Sequence, residues 1–249
     1  MDNCTLINLA ITIGKGMLEC GGEIYRVEES IRRIGFAYHA QSVEVFAIPS
    51  SIVVTIIPQS GDPITQSIRI YNRANDLDKL DKLNDLCRKI CATKPEAVEI
   101  QQELEQINHR PKYRLGIQIL AYAVVSFSFT LFFGGILSDA IAAFFIGILI
   151  KCMLYQLERL HSSAFMNNIL ASSITALIAV LAVYFQLANN ASQIIIGTLM
   201  NLVPGIALTN SARDFIAGDI IAGMMKLAEA LLVATGIAIG VAIPLAIFF

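Results

Sequence analysis

Two periodicities of hydrophobic positions run through the first 114 residues. The stretch TLINLAITIGKGMLECGG, residues 5–22, predicts a mainly apolar helix that ends at the Gly21-Gly22 pair. In residues 23–39, apolar side chains recur every three or four positions, which is the spacing of one helical face. Glutamates and arginines four positions apart on the same helix predict the ion pairs Glu28–Arg32 and Glu29–Arg33.

The rest of this segment first alternates as strands do and then returns to helical spacing. VEVFAIPSSIVVTII, residues 43–57, predicts two strands around a turn, and ITQSIRIY, residues 64–71, predicts a third. Two charged helices are predicted over about 76–91 and 95–108. Residues 1–114 are therefore predicted to form an α+β cytosolic domain.

Long stretches without any charged residue follow, at 115–138, 162–212 and 230–249. A bilayer core needs roughly 20 apolar residues for each spanning helix. These stretches therefore predict a mostly α membrane protein, with a transmembrane domain over residues 115–249. We expect five transmembrane helices, over about 115–133, 136–155, 165–186 and 193–212, with a fifth that begins between 219 and 227 and reaches 249.

Composition agrees with a membrane protein and limits the partners and cofactors that are expected. Hydrophobic residues make up 55% of the chain and charged residues 15%, against about 25% charged residues in soluble domains. The net charge of −2 gives no indication of a nucleic-acid partner. The five cysteines lack CxxC spacing and the three histidines are scattered, so we expect free thiols, no metal site and no cofactor.

Basic residues predict how the chain is oriented in the membrane. Lysines and arginines concentrate in cytoplasmic loops of membrane proteins. The linkers at 134–138 and 187–192 have no lysine or arginine. Lys151, near the end of the second span, can extend to the side on which the other basic residues near the spans fall, namely Arg110, Lys112, Arg114, Arg159, Arg213 and Lys226. We therefore expect a multi-pass protein of the cell membrane, with its N-terminus in the cytoplasm and its C-terminus outside.

The stretch NLVPGIALTNSARDF, residues 201–215, places helix-breaking and polar residues inside a predicted span. Pro204 lacks an N–H group and Gly205 permits a bend, so the helix is expected to break there. Broken helices bind substrate near the midplane of many transporters. Asn201 and Asn210, together with Thr198, are candidates to line one cavity; the alternative is a kink that serves packing alone.

Acidic residues follow this stretch and are candidates for a proton pathway. Asp214 and Asp219 are expected at the cytoplasmic mouth of the membrane domain. Glu229 lies ten positions after Asp219 and is expected about 15 Å deeper, where burial would raise its pKa. The alternative for Glu229 is an ordinary surface pair with Lys226.

Two long stretches resemble the threonine/serine exporter family of the ThrE/YjjP type. They are LVPGIALTNSARDFIAGDIIAGMMKLAEALL, residues 202–232, and GGEIYRVEESIRRIGFAYHAQSVEVFAIPSSIVVTI, residues 21–56. The resemblance implies a cytosolic domain before a bundle of membrane helices, and proton-driven export of threonine, serine or, in another branch, a dicarboxylate. Longer members fuse two membrane halves, so this chain resembles the split form that carries the N-terminal half. That form implies a second five-helix membrane subunit as partner, or otherwise a homo-oligomer.

The resemblance also implies roles for individual residues. Arg213 would attract a substrate carboxylate, and the central site would be shaped by Asn201, Pro204, Gly205 and Asn210. A substrate ammonium or a proton would be accepted by Asp214, Asp219 and Glu229. The family's cytosolic motif is matched by Glu23, Arg26 and Glu28.

Three classes of function compete at this point. An exporter subunit for small polar metabolites explains the broken polar helix, with amino acids favoured over dicarboxylates as substrate. A membrane-anchored enzyme would need chemistry in residues 1–114, where we find no P-loop, GxGxxG, HExxH or GxSxG motif. A sensor or scaffold needs one anchoring span and gains nothing from polar residues within others. The sequence therefore predicts a transport protein and no enzyme.

Overall fold

The computed structural model describes residues 1–71, 74–111, 113–160 and 162–248. Within these residues the elements are α1 (Asn3–Glu19), α2 (Ile24–Ala37), β1 (Ala40–Ile48), β2 (Ser51–Pro58), β3 (Ile64–Arg69), α3 (Leu77–Thr93), α4 (Ala97–Asn108), α5 (Leu115–Phe132), α6 (Leu137–Arg159), α7 (Ala164–Tyr184), α8 (Ala191–Leu199), α9 (Gly205–Ala217) and α10 (Ile220–Phe248). They divide into two compact units. Residues 1–111 and 205–228 form the first unit, and residues 112–204 and 229–249 form the second.

The apolar helix α1 forms the centre of the first unit. It contacts α2, α3, α4 and two strands of the sheet, which explains why apolar residues surround it on most sides. The sheet is antiparallel in the order β1-β2-β3, with Val45 opposite Val54 and Ile52 opposite Ile68. Alternate residues of β1 and β2 are buried, so one face of the sheet belongs to the core. The predicted strands and helices of residues 1–114 lie within a few residues of the observed ones.

Four helices in the described part of the chain are long and apolar enough to cross a membrane, namely α5, α6, α7 and α10. Five spans were predicted, and the difference lies in the fourth. That stretch forms the short helices α8 and α9 with residues 200–204 between them. The last N–H groups before the interruption, at Leu202 and Val203, both donate to the Leu199 carbonyl, and Pro204 has no N–H with which to continue. The predicted fifth span corresponds to α10, and its last predicted residue, Phe249, lies outside the described residues.

Small residues allow the helices of the second unit to approach closely. A Cβ atom built on Gly197 of α8 would lie 2.6 Å from the backbone nitrogen of Thr130 in α5. Gly147 of α6 meets the same helix at Ser126, and Gly240 of α10 meets α7 at Ser172. Membrane helices associate through such contacts because lipid is as apolar as their side chains.

We expect Gly197→Ala to destabilise the second unit by about 1–3 kcal/mol, because the added methyl group collides with backbone that cannot move aside. The matched control is Gly116→Ala in α5, where a Cβ atom would have no neighbour within 4 Å. Thermal unfolding of both variants in detergent tests this. Equal melting temperatures for the two variants would show that α5 and α8 are not in close contact.

Asp139 joins two linkers of the second unit. Its side chain is buried and accepts hydrogen bonds from the backbone N–H groups of Ile136, Asn189 and Asn190. These bonds tie the linker before α6 to the linker before α8. These are the two linkers without lysine or arginine, and they lie at the same end of the unit.

Candidate functional site

The candidate site begins at a tight turn that ends α1. Gly21 has a φ of +89°, which a side chain would disfavour, and the Gly22 N–H donates to the Met17 carbonyl over 2.9 Å. Such a turn leaves the carbonyl groups of both glycines available to other partners. The helix α2 begins directly afterwards at Ile24, preceded by Glu23.

Side chains from α9 and α10 bind at this turn. The Asn210 amide donates to the Gly21 carbonyl over 2.9 Å, and Lys226 Nζ lies 3.5 Å from the Gly22 carbonyl oxygen. Arg213 donates to Glu23 Oε1 over 2.6 Å. We call Gly21, Gly22, Glu23, Asn210, Arg213, Asp214 and Lys226 the motif cluster, because the two sequence stretches that carry the family resemblance meet there.

A buried ion pair forms the interior of the motif cluster. Asp214 is fully buried, and its Oδ2 lies 2.8 Å from Lys226 Nζ, whose side chain is 10% exposed. Neither carboxylate oxygen accepts a hydrogen bond from a described residue, so the attraction of Lys226 is its main compensation for lost hydration. Nearby, the Ser211 hydroxyl donates to the Gly223 carbonyl and joins α9 to α10.

The electrostatics of the motif cluster favour an ionised Glu23. Burial by itself would raise the pKa of this carboxyl, but its own backbone N–H, the hydrogen bond from Arg213 and the charges of Arg26 and Arg213 outweigh it and lower the pKa. Arg26 lies 3.5 Å from Glu23 Oε2 and is half exposed, so Arg213 is the closer of the two cations.

The pKa of Asp219, in the turn between α9 and α10, is shifted in the opposite direction. Burial and the negative charge of Asp214 raise its pKa, although Arg32 and Lys226 oppose this. A carboxyl group with a raised pKa takes up a proton more readily as the pH falls.

Glu28 connects α2 to β1 in the same unit. Its carboxylate accepts the Ala47 N–H over 2.9 Å and pairs with Arg32 over 3.3 Å, which fixes α2 to β1. Burial raises the pKa of Glu28, and these partners oppose it only in part. The predicted Glu28–Arg32 and Glu29–Arg33 pairs are both present.

Several of the predicted site residues lie together in the first unit. Glu23, Asn210, Arg213 and Asp214 share the motif cluster, with Arg26 and Asp219 beside it. Asn201 instead donates to Ser126 Oγ over 2.9 Å and to the Thr198 carbonyl, within the second unit. The expectation that Asn201 and Asn210 line one cavity stays a prediction, because the two residues belong to different units.

Lys226 has an ion pair with Asp214 on the preceding helix, and Glu229 is at an exposed position of α10. The alternative of a Lys226–Glu229 surface pair stays a prediction. Pro204 and Gly205 lie at the interruption between α8 and α9 and form the boundary between the two units. Sequence reasoning missed Gly21 and Gly22 as site residues, although their position directly before Glu23 in the family motif was an available signal.

The described residues contain no group of histidines, cysteines and acids that is placed to hold a metal ion. The cysteines are free thiols, and the two that are buried in the first unit have strongly raised pKa values. Burial raises the pKa of Cys20 to about 11 and that of Cys87 to about 12.

We therefore expect iodoacetamide at mildly alkaline pH to label the exposed Cys4 and to leave Cys20 and Cys87 unmodified, because the thiolate is the reactive form. Mass spectrometry of peptides from the folded protein measures this. Labelling of Cys20 at the rate of Cys4 would show that the end of α1 opens readily.

Comparison with known proteins shows the same relationship along almost the whole chain. The profile of the ThrE family, described as "Putative threonine/serine exporter", matches residues 8–248. A "Threonine/serine exporter" of Corynebacterium glutamicum is 28% identical over 247 residues, which is 95% of this chain and 50% of that protein. A "Probable threonine/serine exporter" of Mycobacterium tuberculosis is 21% identical over 242 residues, 96% of this chain and 46% of that protein. No solved structure matches significantly.

This chain thus spans about half the length of both relatives. The family profile includes both stretches that meet in the motif cluster as well as all four candidate membrane spans. On this basis the chain belongs to the ThrE family of threonine/serine exporters.

Proposed function

We propose that the protein is part of a secondary transporter that exports small amino acids of the threonine and serine type. The motif cluster carries this proposal, because residues from the two stretches typical of the family form one charged network. The names of the two relatives support the substrate class. Succinate-type dicarboxylates are the alternative substrate, and they enter as an arm of the experiment below.

Arg213 is proposed to attract the substrate carboxylate at the cytoplasmic entrance. It is held by Glu23 in this structure, and more than half of its side chain is exposed. A guanidinium group can exchange one carboxylate for another, since it offers two parallel N–H donors to either. Arrival of substrate would then release Glu23 and loosen the contact between α2 and α9.

Proton coupling is proposed to use the carboxyl groups around the motif cluster and on α10. Asp219 has a raised pKa, Asp214 is fully buried beside Lys226, and Glu229 lies within a candidate membrane span. Protonation of Asp214 would remove its attraction for Lys226 and so weaken the contact between α9 and α10. Proton entry and substrate release would in this way act on the same helices.

The proposed topology has a cytoplasmic N-terminus and an external C-terminus in the cell membrane. We propose that α8 and α9 together provide one discontinuous crossing between those of α7 and α10, for a total of five. The coverage of about half of each relative supports a second membrane half of inverted orientation, supplied in the split form by a separate subunit. A reporter domain fused after Phe248 tests this: activity outside the cell agrees with five crossings, and activity inside contradicts them.

Transport by inside-out membrane vesicles from the source cells tests the function. Vesicles with an acidic interior should accumulate labelled serine and threonine, vesicles without the protein should not, and collapse of the pH gradient should abolish the uptake. Labelled succinate is the comparison arm. Accumulation of succinate alone would replace amino acids by dicarboxylates as substrate, and no accumulation of any of the three would contradict the proposal.

A further inference from the structure

Two of the described lysines are buried, and they differ in their partners. Lys226 is 8% exposed and pairs with Asp214. Lys151 of α6 is equally buried, yet no carboxylate of the described residues lies within the 4.0 Å of an ion pair from its Nζ. A buried ammonium group without a counter-charge is costly in a membrane helix and is expected there only with a function.

Lys151 contacts an aromatic residue within the second unit. Its Nζ lies 5.1 Å from the centre of the Tyr122 ring on α5. The backbone carbonyl of Tyr122 is within 3.4 Å of the Asn201 amide nitrogen, so Lys151 and Asn201 are both neighbours of this tyrosine. A cation over an aromatic ring gains far less than one paired with a carboxylate, so Lys151 retains most of its capacity to bind an anion.

The hydroxyl of Thr198, three positions before Asn201, is a second buried polar group without a partner among the described residues. Its side chain is 1% exposed, and its hydroxyl oxygen has no hydrogen-bond partner among the described residues. Its backbone carbonyl accepts from the Asn201 amide over 3.1 Å. A buried hydroxyl is nearly always satisfied in a folded protein, so the unsatisfied hydroxyl of Thr198 indicates a place for a polar ligand in the second unit.

We propose that Lys151, Thr198 and Asn201 form the inner substrate site of the exporter, with Lys151 binding a single carboxylate. This inference rests on the proposed function and adds the residues and the ligand class within the membrane unit. Among the described residues Lys226 is paired with Asp214, which leaves Lys151 as the buried cation without an acid partner. One cation suits a monocarboxylate such as serine or threonine, whose hydroxyl can pair with Thr198, better than a dicarboxylate.

The test compares Lys151→Met and Lys151→Arg in the vesicle assay with labelled L-serine. Methionine keeps most of the length of the side chain and removes the charge, so the apparent KM for serine should rise by about tenfold or more, whereas arginine should retain most of the affinity. Serinol, in which an alcohol replaces the carboxylate, should compete poorly with serine in the parent protein. Thr198→Val should raise the apparent KM as well, and Leu149→Met, on the exposed part of α6, is the control that should not.

Thermal unfolding separates a binding role from a structural one. Lys151→Met should raise the melting temperature, because it removes an uncompensated buried charge, while it weakens serine transport. Serine transport by Lys151→Met with the parent KM would overturn this inference and leave the proposed function intact. Lower stability together with lost transport would assign Lys151 to packing and overturn it too. Absence of transport by the parent protein would overturn the proposed function itself, and this inference with it.

Discussion

Replacing Lys226 with methionine is expected to destabilise the contact between α9 and α10 by about 3 kcal/mol or more. The change leaves Asp214 fully buried without its counter-charge, and neither oxygen of Asp214 has a hydrogen bond from a described residue to replace it. Hydrogen exchange of the backbone amides of α9 measures the effect, because it reports the local opening free energy. The amides around Asp214 should lose the most protection.

Two further variants distinguish the buried pair from ordinary charge effects. Asp214→Asn combined with Lys226→Met should recover most of the lost protection, since it removes both charges of the pair. Lys82→Met is the matched control, because Lys82 lies near Asp85 with both side chains substantially exposed, and such a pair contributes at most about 1 kcal/mol. If Lys226→Met and Lys82→Met have equal effects, the Asp214–Lys226 pair is not buried in the folded protein.

Replacing Arg213 with methionine is expected to reduce serine export by about tenfold or more. The variant removes the closer cation of Glu23 and, in the proposed mechanism, the group that first attracts the substrate carboxylate. Arg26→Met is the matched control, since Arg26 contacts the same carboxylate from 3.5 Å and is similarly exposed. Export rates from inside-out vesicles compare the two, and equal losses would contradict a specific role for Arg213.

Arg213→Met is also expected to change how the stability of the protein depends on pH. The pKa of Glu23 is lowered in the folded protein, so its contribution to stability is present above the unfolded pKa and is lost as the pH falls through the folded one. Removing Arg213 brings the folded pKa back towards its usual value, and this contribution shrinks. Acid unfolding of Arg213→Met should therefore begin at a higher pH than that of the parent protein.

Local periodicity was sufficient to predict most of the secondary structure. The helices α1 to α4 and the three strands follow from apolar spacing and from the Gly21-Gly22 pair, because these signals act within a few residues. The fourth predicted span shows what local signals cannot predict. Its hydropathy indicated a crossing and Pro204 indicated a break, but neither signal could show that α9 packs with the N-terminal residues as part of the first unit.

The pairing of charges could not be predicted from local patterns. Glu23 and Arg213 are 190 positions apart, and no helical spacing connects them. Lys226 forms an ion pair with Asp214 on the other side of the turn after α9, which no helical spacing indicates. The family resemblance selected the two stretches that meet in the motif cluster, since it gathers residues by shared motif, but their contacts required the three-dimensional fold.

The central claim is that the two family motifs function as one unit through the contact of Glu23 with Arg213. The most direct test is charge reversal in the export assay, with Glu23→Lys, Arg213→Glu and the double variant that carries both changes. Each single change should abolish most serine export, because it places like charges together, and the double variant should recover a substantial part of it. A double variant that exports no better than the weaker single variant would contradict the claim.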